Sequence, residues 1–203
     1  MISNFSIIEI APGLKFCQNQ IYKFSSDSIR LFDYIKNIET PEILELGCGD
    51  GIISVLYALK NKQSLVYSLD INSDVLSCLK QTVKINNIKN IEIIESDMEW
   101  YSISSKKTFP LVTMNPPYYN CFEGKLNDNP YAITAKHQIL CNETIFLNSG
   151  YRLSKKKSGR FIIIYPKFKI TNKFIEKIYL TGFKSHIVID TSNPRFQIVE
   201  MIL

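Results

Sequence analysis

Metal-binding and disulfide chemistry have little to work with in this chain. It holds two histidines, His137 and His186, far apart and in no metal-ligand pattern. Its five cysteines, at 17, 48, 78, 121 and 141, form no Cys-x-x-Cys pair. An odd number at wide spacing argues against a disulfide framework or a zinc site, and fits reduced thiols in a cytosolic protein. No apolar run approaches the ~20 residues that span a bilayer. The N-terminus, Met-Ile-Ser-Asn-Phe-Ser, has no basic segment followed by a long apolar stretch, so no signal peptide is expected. No internal repeat, linker or low-complexity tract interrupts the sequence.

What is present is ordinary globular composition, 45% hydrophobic and 21% charged across 203 residues, which argues against disorder. The charge is unevenly spread. Residues 1–100 hold 9 Lys+Arg against 13 Asp+Glu, or −4, and residues 101–203 hold 15 against 6, or +9. Different partners handled by different halves would produce such a split. So would drift in a Lys-rich surface, since the chain has 20 Lys.

Short apolar runs alternate with amphipathic stretches. Strands are predicted at 42–46, 65–69, 91–95, 110–114 and 160–165, with two more near 184–190 and 196–203. Helices are predicted at about 51–61, 73–86 with Ser73 as N-cap, 133–154, and 171–181 ending at Gly182. The first 40 residues differ. They suggest a small strand or hairpin within 14–24 and a helix over 25–38. This alternation predicts an α/β fold: a seven-stranded, mostly parallel sheet with helices on both faces and a small N-terminal extension. Residues 1–40 are expected to be that extension, closing over the site, and 41–203 the main domain. The longest aperiodic stretch, 115–132, carries three Pro, four Asn and four aromatic residues. A loop that long in a compact domain is more often functional than idle.

Two motifs carry chemistry. The first is Glu45-Leu46-Gly47-Cys48-Gly49-Asp50-Gly51, between a predicted strand and helix. Gly47, Gly49 and Gly51 let the backbone turn sharply and approach a ligand closely. Their alternation differs from the G-x-G-x-x-G dinucleotide fingerprint. Glu45 precedes them, Asp70 ends the second strand 19 residues beyond Gly51, and Asp97 is read as ending the third. Asp70 is placed to accept ribose hydroxyls and Asp97 an exocyclic amine, with Ile71 and Met98 beside them. Three acids at the carboxyl ends of neighbouring parallel strands suit a cationic nucleoside better than a pyrophosphate. S-adenosylmethionine fits that description.

The second motif is Asn115-Pro116-Pro117-Tyr118, directly after the fourth strand. Two prolines stiffen the backbone and remove two N–H donors. An acceptor-rich corner remains, made of the Asn115 side-chain oxygen and the Pro116 carbonyl. Accepting both protons of a conjugated exocyclic amine would aim its lone pair at an electrophilic methyl. The Tyr118 ring can stack on the base.

With these residues in place, the chain resembles class I S-adenosylmethionine-dependent methyltransferases of the N6-adenine/glutamine type, with a Rossmann-like fold. Within that group it is similar to the bacterial tRNA methyltransferases that modify N6 of adenine 37 next to the valine anticodon. Three features carry the closer resemblance. Gln18 to Ser28, with Phe24 at its centre, matches an N-terminal element that closes over the cofactor. Tyr119 follows the Asn-Pro-Pro-Tyr loop. Ala135-Lys136-His137-Gln138 is similar to a following A-R-H-E helix, with Lys136 and Gln138 departing from it.

The expected protein is a cytoplasmic, metal-free enzyme acting on RNA; its oligomeric state is left open, with a monomer expected. Tyr119 and Phe122 would contact loop bases, and Lys125 and the run Lys155-Lys156-Lys157 would contact phosphates. Further basic residues follow in the same half: Lys106, Lys107, Arg152, Arg160, Lys167, Lys169 and Lys173. Three rival readings stay open. One is methylation of a release-factor glutamine, disfavoured because no separate N-terminal helical domain is visible. The others are a DNA adenine methyltransferase and a degenerate methyltransferase serving as an RNA-binding subunit.

Overall fold

The computed structural model describes residues 5–19, 23–117 and 142–203. The elements run β1 (Phe5–Ala11), β2 (Leu14–Asn19), α1 (Ser26–Ile35), β3 (Glu42–Leu46), α2 (Ile52–Lys60), β4 (Leu65–Asp70), α3 (Ser73–Ile85), β5 (Ile91–Glu95), α4 (Met98–Ser104) and β6 (Leu111–Met114). Beyond residue 141 come α5 (Glu143–Leu153), β7 (Arg160–Pro166), a 3-10 turn (Lys167–Lys169), α6 (Asn172–Thr181), β8 (Ser185–Asp190) and β9 (Phe196–Ile202).

Seven strands form one sheet in the order β5-β4-β3-β6-β7-β9-β8, and β1-β2 make a separate antiparallel hairpin. Strands β3 to β7 pair in parallel, while β9 runs antiparallel between β7 and β8. The seven-stranded, mostly parallel sheet read from the sequence is therefore present.

Period-two alternation divides the core into two layers. On one face Ile43, Val66, Leu111, Ile162 and Ile164 join Leu31 and Ile35 of α1, Val55 of α2 and Leu76 and Leu79 of α3. On the other, Leu44, Leu46, Tyr67, Leu69, Val112, Met114, Phe161 and Ile163 meet Phe146 and Leu147 of α5 and Phe174 and Ile178 of α6. Strands buried on both faces read as nearly continuous apolar runs, which is why they were conspicuous.

Boundaries shift in three places. Asn72, not Ser73, caps α3: its side chain accepts from the Asp74 N–H at 2.9 Å. The helix read over 25–38 ends at Ile35. The helix read from 133 starts at Glu143, because Asn142 is extended and its side chain caps Ile145 N–H at 3.0 Å. Residues 133–141 lie outside the described residues. Strand β1 and helix α4 were not anticipated. No helix among the described residues is long and apolar enough to cross a membrane.

Candidate active site at the carboxyl ends of the parallel strands

The glycine turn leaves β3 and enters α2. Gly47, Gly49 and Gly51 have φ of 63°, 58° and 81°, a region other residues enter only with strain. Their surroundings separate their roles. A Cβ on Gly51 would lie 2.4 Å from Cδ1 of the fully buried Leu79, so Gly51 admits α3 to the base of α2. Among the described residues, a Cβ on Gly47 would meet only the Met114 methyl, at 3.7 Å. A Cβ on Gly49 would meet no described atom within 4 Å. Gly49 therefore borders open space, where a ligand can reach the backbone.

Asp70, ending β4, holds this turn. One carboxylate oxygen accepts from Gly49 N–H at 2.8 Å, the other from Asn72 N–H at 2.9 Å. The turn is also tied to β4 by Cys48 N–H donating to the Leu69 carbonyl at 3.0 Å. Ile71, next to Asp70, is 46% exposed. A large apolar side chain open to solvent beside a glycine turn offers a face for a planar ring.

Glu45 points away from solvent. It is buried, and its Oε2 accepts from Ser54 N–H at 2.8 Å and from the Ser54 hydroxyl. Ser68 on β4, the register partner of Glu45, donates to Ser54 at 2.7 Å. Burial pushes the Glu45 carboxyl up to about 8; the Ser54 hydrogen bonds oppose this, and the charges of Asp50 and Asp70 add to it. Asp50 is the acid that sequence reading passed over. It is buried, its Oδ2 has no hydrogen-bond partner among the described residues, and burial with the nearby Asp70 lifts it to about 8. Its position between two glycines of the turn was the available signal.

Asp97 does not end a strand. Strand β5 stops at Glu95, and Asp97 caps α4, one carboxylate oxygen accepting from Trp100 N–H at 2.9 Å. Met98 opens that helix and packs on the α5–α6 layer. Phe24 packs edge-on against Phe16, ring centroids 5.5 Å apart.

Asn115 follows β6, the neighbour of β3, so it emerges at the same sheet edge. Its amide nitrogen donates to the Ser28 hydroxyl at 2.8 Å and reaches Ser25 at 3.4 Å. Both serines belong to the start of α1, a connection 87 residues long in sequence that no local pattern announces. With the nitrogen committed there, the amide orientation is set and its carbonyl oxygen is directed elsewhere. Pro116 and Pro117 continue the chain. Tyr118, Tyr119, Phe122, Lys125 and the 135–138 segment lie outside the described residues.

The structure does not bring the basic run to this site. Lys155, Lys156 and Lys157 precede β7, so they lie at the amino edge of the sheet, opposite the glycine turn. Lys107 lies at that edge too, bonded to Glu42 at 2.7 Å and to the Tyr67 hydroxyl, which keeps its ammonium protonated above the usual range. Arg160 is paired with Glu200 at 3.0 Å. Cations that do reach the carboxyl edge include Lys167, Lys169 and Lys173, which follow β7, and Arg195, which precedes the antiparallel β9.

Comparison with known proteins bears on the family and the fold. The profile described as the methyltransferase small domain matches residues 16–179. A Methanocaldococcus jannaschii protein, provisionally named a protein N5-glutamine methyltransferase, is 33% identical over 184 residues, covering 89% of this chain and 90% of that one. A bifunctional methyltransferase of Rickettsia prowazekii is 27% identical across 84% of this chain, which spans only 38% of that relative. Among solved structures, M. jannaschii TYW2 in complex with AdoMet superposes with a TM-score of 0.65 at 16% identity, covering all of this chain and 86% of that one. At such identity the likeness is one of fold.

Proposed function

The chain belongs to the methyltransferase small domain family, and we propose that it methylates the exocyclic N6 of an adenine in RNA, with tRNA adenine 37 the favoured target. The methyl donor is S-adenosylmethionine, which supplies an electrophilic methyl on a sulfonium. The donor set fits such a cation. Glu45, Asp50 and Asp70 converge beneath the turn, Gly49 leaves room for close backbone approach, and the buried Asp50 Oδ2 has no partner. Gly47, Gly49, Asp70 and Ile71 would hold it, with Met98 and Asp97 at the β5 side and Phe24 and the N-terminal segment covering it.

The single observation that carries the acceptor reading is the place of Asn115, directly after β6 and next to the strand that feeds the glycine turn, with its amide nitrogen held by Ser28 and Ser25. On this reading the Asn115 side-chain oxygen and the Pro116 carbonyl accept from the exocyclic amine of the substrate. Proline at 116 and 117 keeps competing N–H donors out of that corner. The displacement then needs positioning and electrostatics, and no strong general base. Tyr118 is assigned to stack on the base.

A second reading has an observation of its own. The M. jannaschii relative named for glutamine N5 methylation is matched over nine-tenths of its own length, so the expectation of a separate N-terminal helical domain does not separate the two substrates. A glutamine amide poses the same chemical problem as adenine N6. The nucleic-acid reading is preferred because the described cations beside Asn115 suit a polyanion. Offering total tRNA and a peptide chain release factor to the same enzyme, with labelled methyl donor, decides between them. Label in tRNA supports the proposal; label in the release factor alone overturns it.

A further inference from the structure

Strand β7 outruns its neighbour. Its last pair with β6 joins Met114 to Ile163, yet it continues to Pro166, held there by Phe196 of β9. At about 3.3 Å per residue, its tip stands roughly 10 Å beyond the end of β6. It forms a wall beside the point where Asn115 leaves the sheet.

The 3-10 turn on that tip presents Phe168, which is 70% exposed. Such a ring contributes little to the folded state. Lys167 and Lys169 flank it, and Lys173 follows in the first turn of α6. Arg195, exposed, lies against the same turn, its carbonyl accepting from Lys167 N–H at 2.8 Å. Two carboxylates temper the patch. Asp190 faces Lys167 at 3.7 Å with both side chains exposed, a pairing of little energetic consequence. Glu176 lies one turn further along α6. An exposed aromatic ring ringed by four cations, beside the corner assigned to the acceptor nitrogen, has the composition of a platform for single-stranded nucleic acid.

We infer that this tip grips the RNA next to the target base. Phe168 stacks on a flanking base, while Lys169, Lys173 and Arg195 hold neighbouring phosphates. The inference rests on the RNA reading of the site. It replaces the Lys155–Lys157 run with cations at the correct edge.

The test uses an anticodon stem-loop RNA and compares wild type, Phe168→Ala, Phe168→Tyr and the triple variant Lys169→Gln/Lys173→Gln/Arg195→Gln. Phe168→Ala should raise KM for the RNA on the order of ten- to a hundred-fold, and Phe168→Tyr should restore it. Cofactor affinity and Tm should stay at the wild-type values, since the ring is exposed. The triple variant should flatten the salt dependence of binding by about two units of log K per log salt, about 0.7 for each phosphate contact on a single strand. A wild type that methylates the RNA together with an unchanged KM in Phe168→Ala overturns this inference and leaves the function intact. A wild type that methylates release factor and no RNA removes the RNA reading, and this contact with it.

Discussion

Gly49 and Gly51 are chemically identical and two residues apart, yet the structure gives them different jobs. Both have positive φ, so alanine at either position costs about 1–2 kcal/mol of backbone strain, partly offset by about 0.4–1 kcal/mol from a stiffer unfolded chain. Gly51→Ala also drives a methyl to 2.4 Å from Leu79, which is 0% exposed and locked in the core. Overpacking of that kind adds about 1–3 kcal/mol. Gly51→Ala should therefore lose roughly 3 kcal/mol, near 10 °C in Tm for a domain of this size, and Gly49→Ala about 1 kcal/mol. Cofactor binding should respond in the opposite order: Gly49→Ala fills the open space and weakens it strongly. Urea denaturation and titration calorimetry read the two quantities separately. In the double variant Gly51→Ala/Leu79→Ala the clash is gone, so the two losses should fall short of additive by 1 kcal/mol or more. Strict additivity, or equal destabilisation by both alanines, would refute the assignment of Gly51 to packing and Gly49 to the ligand.

Two further predictions concern the acids. Asp70→Ala frees the Gly49 and Asn72 N–H groups and should weaken cofactor binding at least tenfold in calorimetry; an unchanged Kd would remove Asp70 from the site. Glu45 and Asp50 titrate near 8 in the folded protein against ordinary values of 4.5 and 3.8. The folded state thus keeps protons that the unfolded chain has released, so their contribution is fully present below about pH 4 and is lost as pH rises toward 8. The stability of the cofactor-free protein should fall between pH 5.5 and pH 8.5, by at most about 1.4 kcal/mol per pH unit and group, and its Tm should fall with it. Binding of a cation should expel those protons, seen as a calorimetric heat that changes with buffer ionisation enthalpy. A Tm that rises over this range contradicts the burial of the two acids.

The centre of the sheet was legible because β3, β4, β6 and β7 are buried on both faces and read as short apolar runs. Strand β1 was not, because it belongs to an outlying hairpin whose residues are at most half-buried and are patterned by its own pairing with β2. Helix α4 is short, and five of its seven residues are Ser, aromatic or β-branched, with weaker intrinsic helix preference; Asp97 caps it, the same capping that draws Asp97 away from the strand end. The glycine turn and Asn115 stood out by spacing alone. The Ser28–Asn115 bond did not, since tertiary packing creates it. The placement of Lys155–Lys157 was readable and was misjudged: residues that precede a parallel strand lie at its amino edge, away from the glycine turn. The charge split along the chain is accordingly only partly functional. On the basic side, the contribution near the proposed site comes from the end of β7.

The central claim is that Asn115 holds an exocyclic adenine nitrogen for methylation. It is tested most directly by transferring a labelled methyl group to total tRNA, digesting to nucleosides, and comparing wild type with Asn115→Ala. The account predicts label in N6-methyladenosine for the wild type, its loss in Asn115→Ala, and cofactor affinity within a few-fold of wild type in both. Label in a different nucleoside, or wild-type turnover by Asn115→Ala, would contradict it.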